Sequence, residues 1–406
     1  MDLQEHMDSK EDVMSIRTRP AAVAAAVVAL AASAAGCGGD DTEAASRPLA
    51  CARPDASVAL AVGVRSNNPG FALSDGVKGL LNGSAKARKK ITLIRLDGSP
   101  AQVFSEAFTS RAGNERAREA DLDRYQARFN QALTTGARAR VPEADVLGAL
   151  TLAGRSAGPG GNVVIVDSGL QTTSPLDFRD GLLEAEPDDV VAYLKRSEQL
   201  PDLSGRRVIL SGIGFTAPPQ PRLDNRGQSR TAAIWKKIAE AAGAACVVED
   251  DNPSTEAAPP GLPKVSPVAP PEPTRFSSCG RTDLGEKDDL GFVQGTATFR
   301  DPNGARKTLR ELAAIVREGG QTVELTGATS SEGSDADNQR LSEERAEAVE
   351  QVLVGEGVPA DRIDAKGAGE KLPGREDDLG PGGALLPGPA ARNRKVVVEL
   401  HCPTGG

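Results

Sequence analysis

Asn338-Gln339-Arg340-Leu341-Ser342-Glu343-Glu344-Arg345-Ala346-Glu347-Ala348-Val349 reads as a helix that begins at Asn338 and runs to Leu353. Leu341, Arg345, Val349 and Val352 recur there at spacings of three and four. Upstream, Thr322–Leu325 is strand-like and ends at Gly327, Thr308–Arg317 sets Leu309, Leu312, Ala313 and Val316 on one helical face, and Gly291–Phe299 alternates as a strand. Downstream, Arg362–Ala365 and Lys395–Leu400 read as strands. The order β-α-β-α-β-β, with a mixed sheet, predicts an α+β domain over residues 279–402.

Four ordered blocks lie in this region. They are Gly327-Ala328-Thr329-Ser330-Ser331-Glu332-Gly333, the helix segment from Asn338 to Val349, the turn Gly367-Ala368-Gly369, and Asn393-Arg394-Lys395-Val396. This pattern resembles the OmpA-like domain, whose blocks run Gly-His-Thr-Asp-x-x-Gly, Asn-x-x-Leu-Ser-x-x-Arg-Ala-x-x-Val, Gly-x-Gly and Asn-Arg-Arg-Val. The resemblance implies contact with peptidoglycan, with an aspartate and an arginine clamping the diaminopimelate of the peptide stem. It assigns ligand contact to Thr329, Ser330, Asn338, Arg345 and Arg394. A zwitterionic head group calls for a carboxylate facing its ammonium and a guanidinium facing its carboxylate. Arg345 is in place, but Ser330 holds the aspartate position and Ala328 the histidine position. A serine forfeits a charge-assisted contact worth about 1–3 kcal/mol, and Glu332 or Asp335 are the nearby substitutes. Structural roles stand beside these: Arg345 pairing with Glu344, Asn338 as an N-cap, Arg394 ordering the loop before the last strand. The Gly- and Pro-rich stretch from Leu372 to Ala391 either covers the pocket or is disordered.

Residues 57–250 alternate strand and helix patterns. Val58–Val64, Ile91–Leu96, Val103–Phe108, Asn162–Val166, Arg207–Leu210 and Ala245–Val248 are strand-like, and Ala117–Leu133, Glu143–Ala153, Pro187–Leu194 and Ala232–Ala242 are helical. Such alternation predicts an α/β domain with a doubly wound, mainly parallel sheet whose ligands gather after Val64, Val166 and Leu210. The order is similar to a von Willebrand factor A domain, which implies a metal-dependent adhesion site built on Asp-x-Ser-x-Ser. The first loop reads Val64-Arg65-Ser66-Asn67-Asn68 instead, and Asp167 alone matches a later acidic position, so no metal is expected. The ligand of this domain is an unidentified protein. Residues 251–278 hold eight prolines before Arg275 and read as an extended linker outside either core.

At the N-terminus, Arg17 and Arg19 precede an apolar run from Ala21 to Ala35 that ends in Ser33-Ala34-Ala35-Gly36-Cys37. The run falls short of the roughly 20 residues that span a bilayer. Residues 1–37 therefore read as a signal peptide whose end resembles a bacterial lipobox, with Ala34 where the pattern prefers Leu. That resemblance implies a diacylated Cys37, a tether over 38–56 and a lipid anchor on a bacterial membrane. Translation from Met14 would remove acidic residues that suit no signal peptide. Export leaves Cys51, Cys246, Cys279 and Cys402 in an oxidising compartment. Of three possible pairings, Cys51–Cys246 and Cys279–Cys402 would each close their own domain.

Enzyme and nucleic-acid readings fit poorly. A net charge of −9 disfavours phosphate binding. Of the two histidines, His6 and His401, the first precedes the apparent targeting segment, and the single one left cannot supply a two-histidine zinc site, while a catalytic triad would have to use His401 at the end of the chain. Gly154-Arg155-Ser156-Ala157-Gly158 matches a nucleophile pattern, yet a helix precedes it and a strand follows, the reverse of what that motif needs. The expected protein is a non-catalytic, extracytoplasmic envelope lipoprotein without a cofactor. The rival reading is an interaction scaffold whose C-terminal domain has lost wall binding.

Overall fold

The computed structural model describes residues 49–251, 253 and 257–403. The expected signal segment, Cys37 and most of the tether lie outside the described residues.

The first domain is built on β1 (Val58–Val62), α1 (Asp75–Lys86), β2 (Lys90–Arg95), β3 (Ala101–Ala107), α2 (Glu115–Gln131), α3 (Val146–Ala157), β4 (Asn162–Val166), α4 (Pro187–Arg196), β5 (Arg207–Ser211), α5 (Asn225–Ala241) and β6 (Cys246–Asp250). Its sheet runs β3-β2-β1-β4-β5-β6, parallel except for β3, which is antiparallel to β2. β1 and β4 are buried along their whole length, so side chains on both faces meet apolar layers. One layer holds Val77, Leu80 and Leu81 of α1 with Tyr125 and Phe129 of α2; the other holds Leu150, Val190, Leu194, Ile234 and Trp235. Helix α1, which the sequence reading leaves out, buries Val77, Leu80, Leu81 and Ala85, an apolar set at helical spacing. Ser74 starts it, its hydroxyl accepting from the Val77 amide at 3.2 Å.

The second domain comprises β7 (Gly280–Leu284), α6 (Pro302–Gly319), β8 (Thr322–Gly327), α7 (Asp335–Gly355), β9 (Ile363–Gly367), α8 (Pro387–Asn393) and β10 (Val396–His401). The sheet order is β7-β10-β8-β9, with β10 antiparallel to both neighbours and β8 parallel to β9. Val396, Val398 and Leu400 of β10 pack with Leu309, Leu312 and Val316 of α6 and Ala346, Val349 and Leu353 of α7. The first strand is therefore Gly280–Leu284, not Gly291–Phe299. The latter folds back on itself through Gly295, at φ 69°, so that Phe292 bridges Phe299 and their rings lie 4.8 Å apart. Its alternation in sequence comes from this aromatic stack.

Both disulfides pair as expected, Cys51–Cys246 and Cys279–Cys402. The first fastens the segment before β1 to the edge strand β6, and Arg53 and Asn162 exchange two hydrogen bonds beside it, at 2.9 and 2.8 Å. Residues 251–278 depart from the expectation of a free linker. Val268 is fully buried among the residues of the α3–α5 layer, and the side-chain amide of Gln220 clamps its backbone, Nε2 donating to the Val268 carbonyl at 2.7 Å and Oε1 accepting from its amide at 2.8 Å. Proline-rich chain has few backbone donors of its own, so a side-chain amide serves as its partner.

The two domains dock through charge. Glu186 lies between Arg230 and Arg300, Arg300 also bonds Glu286 at 2.7 Å, and Arg226 meets Asp289 at 2.5 Å. Ala391 of α8 enters the apolar layer of the first domain, and a Cβ on Gly388 would fall 1.8 Å from the carbonyl oxygen of Asp180. Only glycine permits that approach.

Replacing Cys51 and Cys246 by serine is expected to cost about 2–4 kcal/mol by releasing a long loop in the unfolded chain. The corresponding drop in thermal midpoint is roughly 5–15 °C, measurable by calorimetry; an unchanged midpoint contradicts the assignment.

Candidate functional site

A cavity of about 570 Å³ opens between the domains. Its second-domain wall starts where β8 ends. A Cβ on Gly327 would lie 1.9 Å from the Ser342 carbonyl, so the strand end lies directly against α7. The loop that follows is pinned by the Ala328 amide on Lys395 O at 2.9 Å and the Thr329 amide on Gly369 O at 3.0 Å. Ser342, inside the helix block, donates to Gln339 O and accepts from the Gly369 amide, both at 2.8 Å. These bonds join all four sequence blocks physically.

Thr329, Ser330, Asn338, Arg345 and Arg394 all line this one cavity. Arg345 is only 4% exposed. Its Nε donates to Thr296 O at 3.1 Å and its guanidinium lies 5.0 Å from the centre of the Phe292 ring. Arg345 forms no ion pair among the described residues, and Glu344 bonds Arg340 instead, at 2.6 Å. Burial, then the neighbouring charge of Arg394, pulls the Arg345 pKa down to about 10, while Glu286 opposes the shift. It remains a cation at neutral pH and lacks a close anion. Thr329 Oγ1 is buried without a hydrogen-bond partner.

Several expectations need correcting here. Asn338 is not the N-cap: Ser334 caps α7, accepting from the Asp337 amide at 3.2 Å, and Asn338 in the next turn bonds Glu370 at 2.6 Å. Arg394 does more than order its loop, since it reaches across the domain boundary to Asp189 at 2.5 Å. Of the two acidic substitutes, Glu332 lines the cavity and Asp335 does not. Leu372–Ala391 does not line the cavity; it is a folded segment that carries α8 onto the first domain. Its buried Asp378 accepts from Ser331 N, Arg375 and Asn393 at 2.8–3.0 Å.

The cavity also contains residues that sequence reading did not single out. Glu186, Asp188 and Asp189, around the start of α4, form the opposite wall, and Phe292 and Arg300 close the sides. No local signal marks them, because they become neighbours only when the domains dock. In the first domain, the loops after β1, β4 and β5 meet as expected at a hollow of about 30 Å³. Arg65, fully buried, places its Nη2 2.5 Å from Asp167 Oδ2. The guanidinium thus fills the place beside Asp167 with a positive charge of the chain's own.

Residues 291–382 match the model of the OmpA family. The C-terminal domain is OmpA-like. The chain is 36% identical over 120 residues to outer membrane protein A of Atlantibacter hermannii, covering 28% of this chain and 48% of that protein. It is 40% identical over 91 residues to the Photosystem I P700 chlorophyll a apoprotein A2 of Gloeobacter violaceus, covering 22% of this chain and 10% of that one. The chain thus spans about half or less of the length of these relatives. Among solved structures, the peptidoglycan-associated lipoprotein from Burkholderia pseudomallei aligns at 21% identity, covering 29% of this chain and 89% of that one, with a TM-score of 0.24. The cell wall anchor of the T6SS from Pseudomonas aeruginosa aligns at 22% identity, covering 30% and 81%, with a TM-score of 0.25. Thr329, Ser330, Asn338 and Arg345, which line the cavity, fall inside the matched segment, and Arg394 lies beyond it.

Burial raises the pKa of Asp189, with Arg394 pulling the other way. An acid whose folded pKa exceeds its unfolded one takes up a proton on folding, so stability rises as pH falls from the folded value toward the unfolded one. The difference in thermal midpoint between wild type and Asp189→Asn should therefore shift in favour of wild type between pH 7 and pH 4.5 (about the carboxylate range). A flat or reversed difference contradicts the assigned environment.

Proposed function

We propose that this chain is a non-catalytic envelope protein, exported and lipid-anchored through Cys37 to a bacterial membrane, whose OmpA-like domain holds the diaminopimelate of a peptidoglycan stem. The observation that carries this reading is Arg345, a buried guanidinium without an ion pair among the described residues, on the wall of a cavity shared with Thr329, Ser330, Asn338 and Arg394. A carboxylate entering there meets a guanidinium that is itself 4% exposed, and a charge-assisted hydrogen bond to a buried donor is stronger than one at the surface. The neighbouring hydroxyls and Asn338 add polar contacts suited to the backbone of a short peptide. The likeness to outer membrane protein A of Atlantibacter hermannii supports an envelope compartment.

The strand order of the first domain, with its antiparallel edge β3, supports reading it as a doubly wound, von Willebrand factor A-like unit that engages a protein partner. Arg65 on Asp167 supports metal-independent engagement, since a cation there would have to displace a paired guanidinium.

Co-sedimentation with isolated diaminopimelate-type sacculi tests the reading. The full chain should pellet with the sacculi, and Arg345→Ala should weaken binding by roughly ten- to a hundredfold. A wild-type chain that stays in the supernatant, or a variant that binds equally, refutes peptidoglycan binding through this cavity.

A further inference from the structure

The aspartate that the OmpA-like pattern places at position 330 is absent, and the carboxylates that the second domain does bring to the cavity wall, Glu332 and Asp337, are exposed. The first domain faces that gap with the acidic start of α4. We propose that Asp189 supplies the missing anion, so that a zwitterionic amino-acid head group is held between Arg345 of one domain and Asp189 of the other. This rests on the reading that the cavity receives a peptide stem.

Each other acid on the cavity wall is already engaged. Glu186 lies between Arg230 and Arg300, and Asp188 bonds Lys237 at 3.1 Å. Asp337 accepts from the Ser334 hydroxyl at 2.6 Å, and Glu332 is exposed and bonded by the Gln294 amide. Asp189 differs in burial: it is 7% exposed, the least of these acids, and Arg394 takes its Oδ2 at 2.5 Å, which leaves Oδ1 for a second donor. It also lies beside the 330 loop, for Asp189, Ser331, Glu332 and Gly333 line one adjoining hollow.

A second observation points to a ligand. Thr329 is 3% exposed, lines the cavity and has an Oγ1 without a partner. An ammonium carries three N–H donors, and Asp189 Oδ1 with the hydroxyls of Thr329 and Ser330 provides three acceptors of the right kind. Arg394 then has a positioning role, fixing Asp189 at the domain boundary. Docking through Glu186–Arg300, Arg226–Asp289 and the Gly388 contact becomes part of the binding site.

The test compares wild type, Asp189→Asn, Arg345→Ala and the double variant Asp189→Asn/Ser330→Asp as full chains, by co-sedimentation with diaminopimelate-containing sacculi. Asp189→Asn should weaken binding by roughly tenfold or more, and adding Ser330→Asp should restore most of the loss by returning a carboxylate from the opposite wall. The single variant Ser330→Asp separates rescue from a plain gain: with Asp189 in place it should change binding little, whereas an equal gain with and without Asp189 means that Asp189 served only to dock the domains and overturns the proposal. Binding by Asp189→Asn equal to wild type, or a loss that Ser330→Asp leaves unrepaired, overturns the proposal. If Arg345→Ala loses binding while Asp189→Asn keeps it, the peptidoglycan reading survives and this one falls. A wild-type chain that never sediments removes both.

Discussion

A guanidinium withdrawn from water needs an anion close by, and the site at Arg345 is organised around the lack of one. Desolvating an ion costs several kcal/mol in a protein interior (order of magnitude), and here the offset comes from one carbonyl, from the Phe292 ring and from the more distant Glu286. Arg394 and Arg300 raise the local positive potential further, as the lowered Arg345 pKa reflects. Such a site gains by admitting a carboxylate. The loop 291–299, the turn at Gly369 and the cap at Ser334 all serve to hold α7 and its arginine in that position.

The second constraint is the domain boundary. Its ion pairs are partly buried, and breaking one partner of a buried pair costs about 3–5 kcal/mol, whereas the intact pair adds little over apolar packing. Their value is therefore orientation more than adhesion. Glu186 and Asp189 come from the same helix start, where the dipole of α4 favours negative charge. One pins Arg300 and the other pins Arg394, so α4 sets both sides of the cavity mouth.

Much of the fold was legible in the chain itself. Asn162–Val166 reads as a buried strand because four consecutive β-branched residues leave no solvent face, and α6 reads from Leu309, Leu312 and Val316. The four blocks of the OmpA-like domain locate Thr329, Ser330, Asn338, Arg345 and Arg394 without a structure, and each lines the same cavity. Gly280–Leu284 was illegible because an edge strand of Gly-Arg-Thr-Asp-Leu has almost no apolar alternation, while the stacked Phe292 and Phe299 imitate one. Helix α1 carries Val77, Leu80, Leu81 and Ala85 at helical spacing, but Gly79, Gly83 and Asn82 among them weaken the helix signal. Val268 was misjudged with its linker because a lone valine among prolines gives no sign that Gln220 will clamp it. Asp189 was invisible for a different reason: its partner Arg394 is 205 residues away in sequence.

The claim at the centre is that Arg345 awaits the carboxylate of a zwitterionic ligand. A crystal structure of the full chain soaked with meso-diaminopimelate tests it directly. The account predicts one ligand carboxylate about 2.7–2.9 Å from an Arg345 Nη atom, with the adjacent ammonium turned toward Ser330 and Asp189. A ligand bound elsewhere, or an Arg345 that keeps only Thr296 and Phe292 as neighbours at saturating ligand, contradicts it.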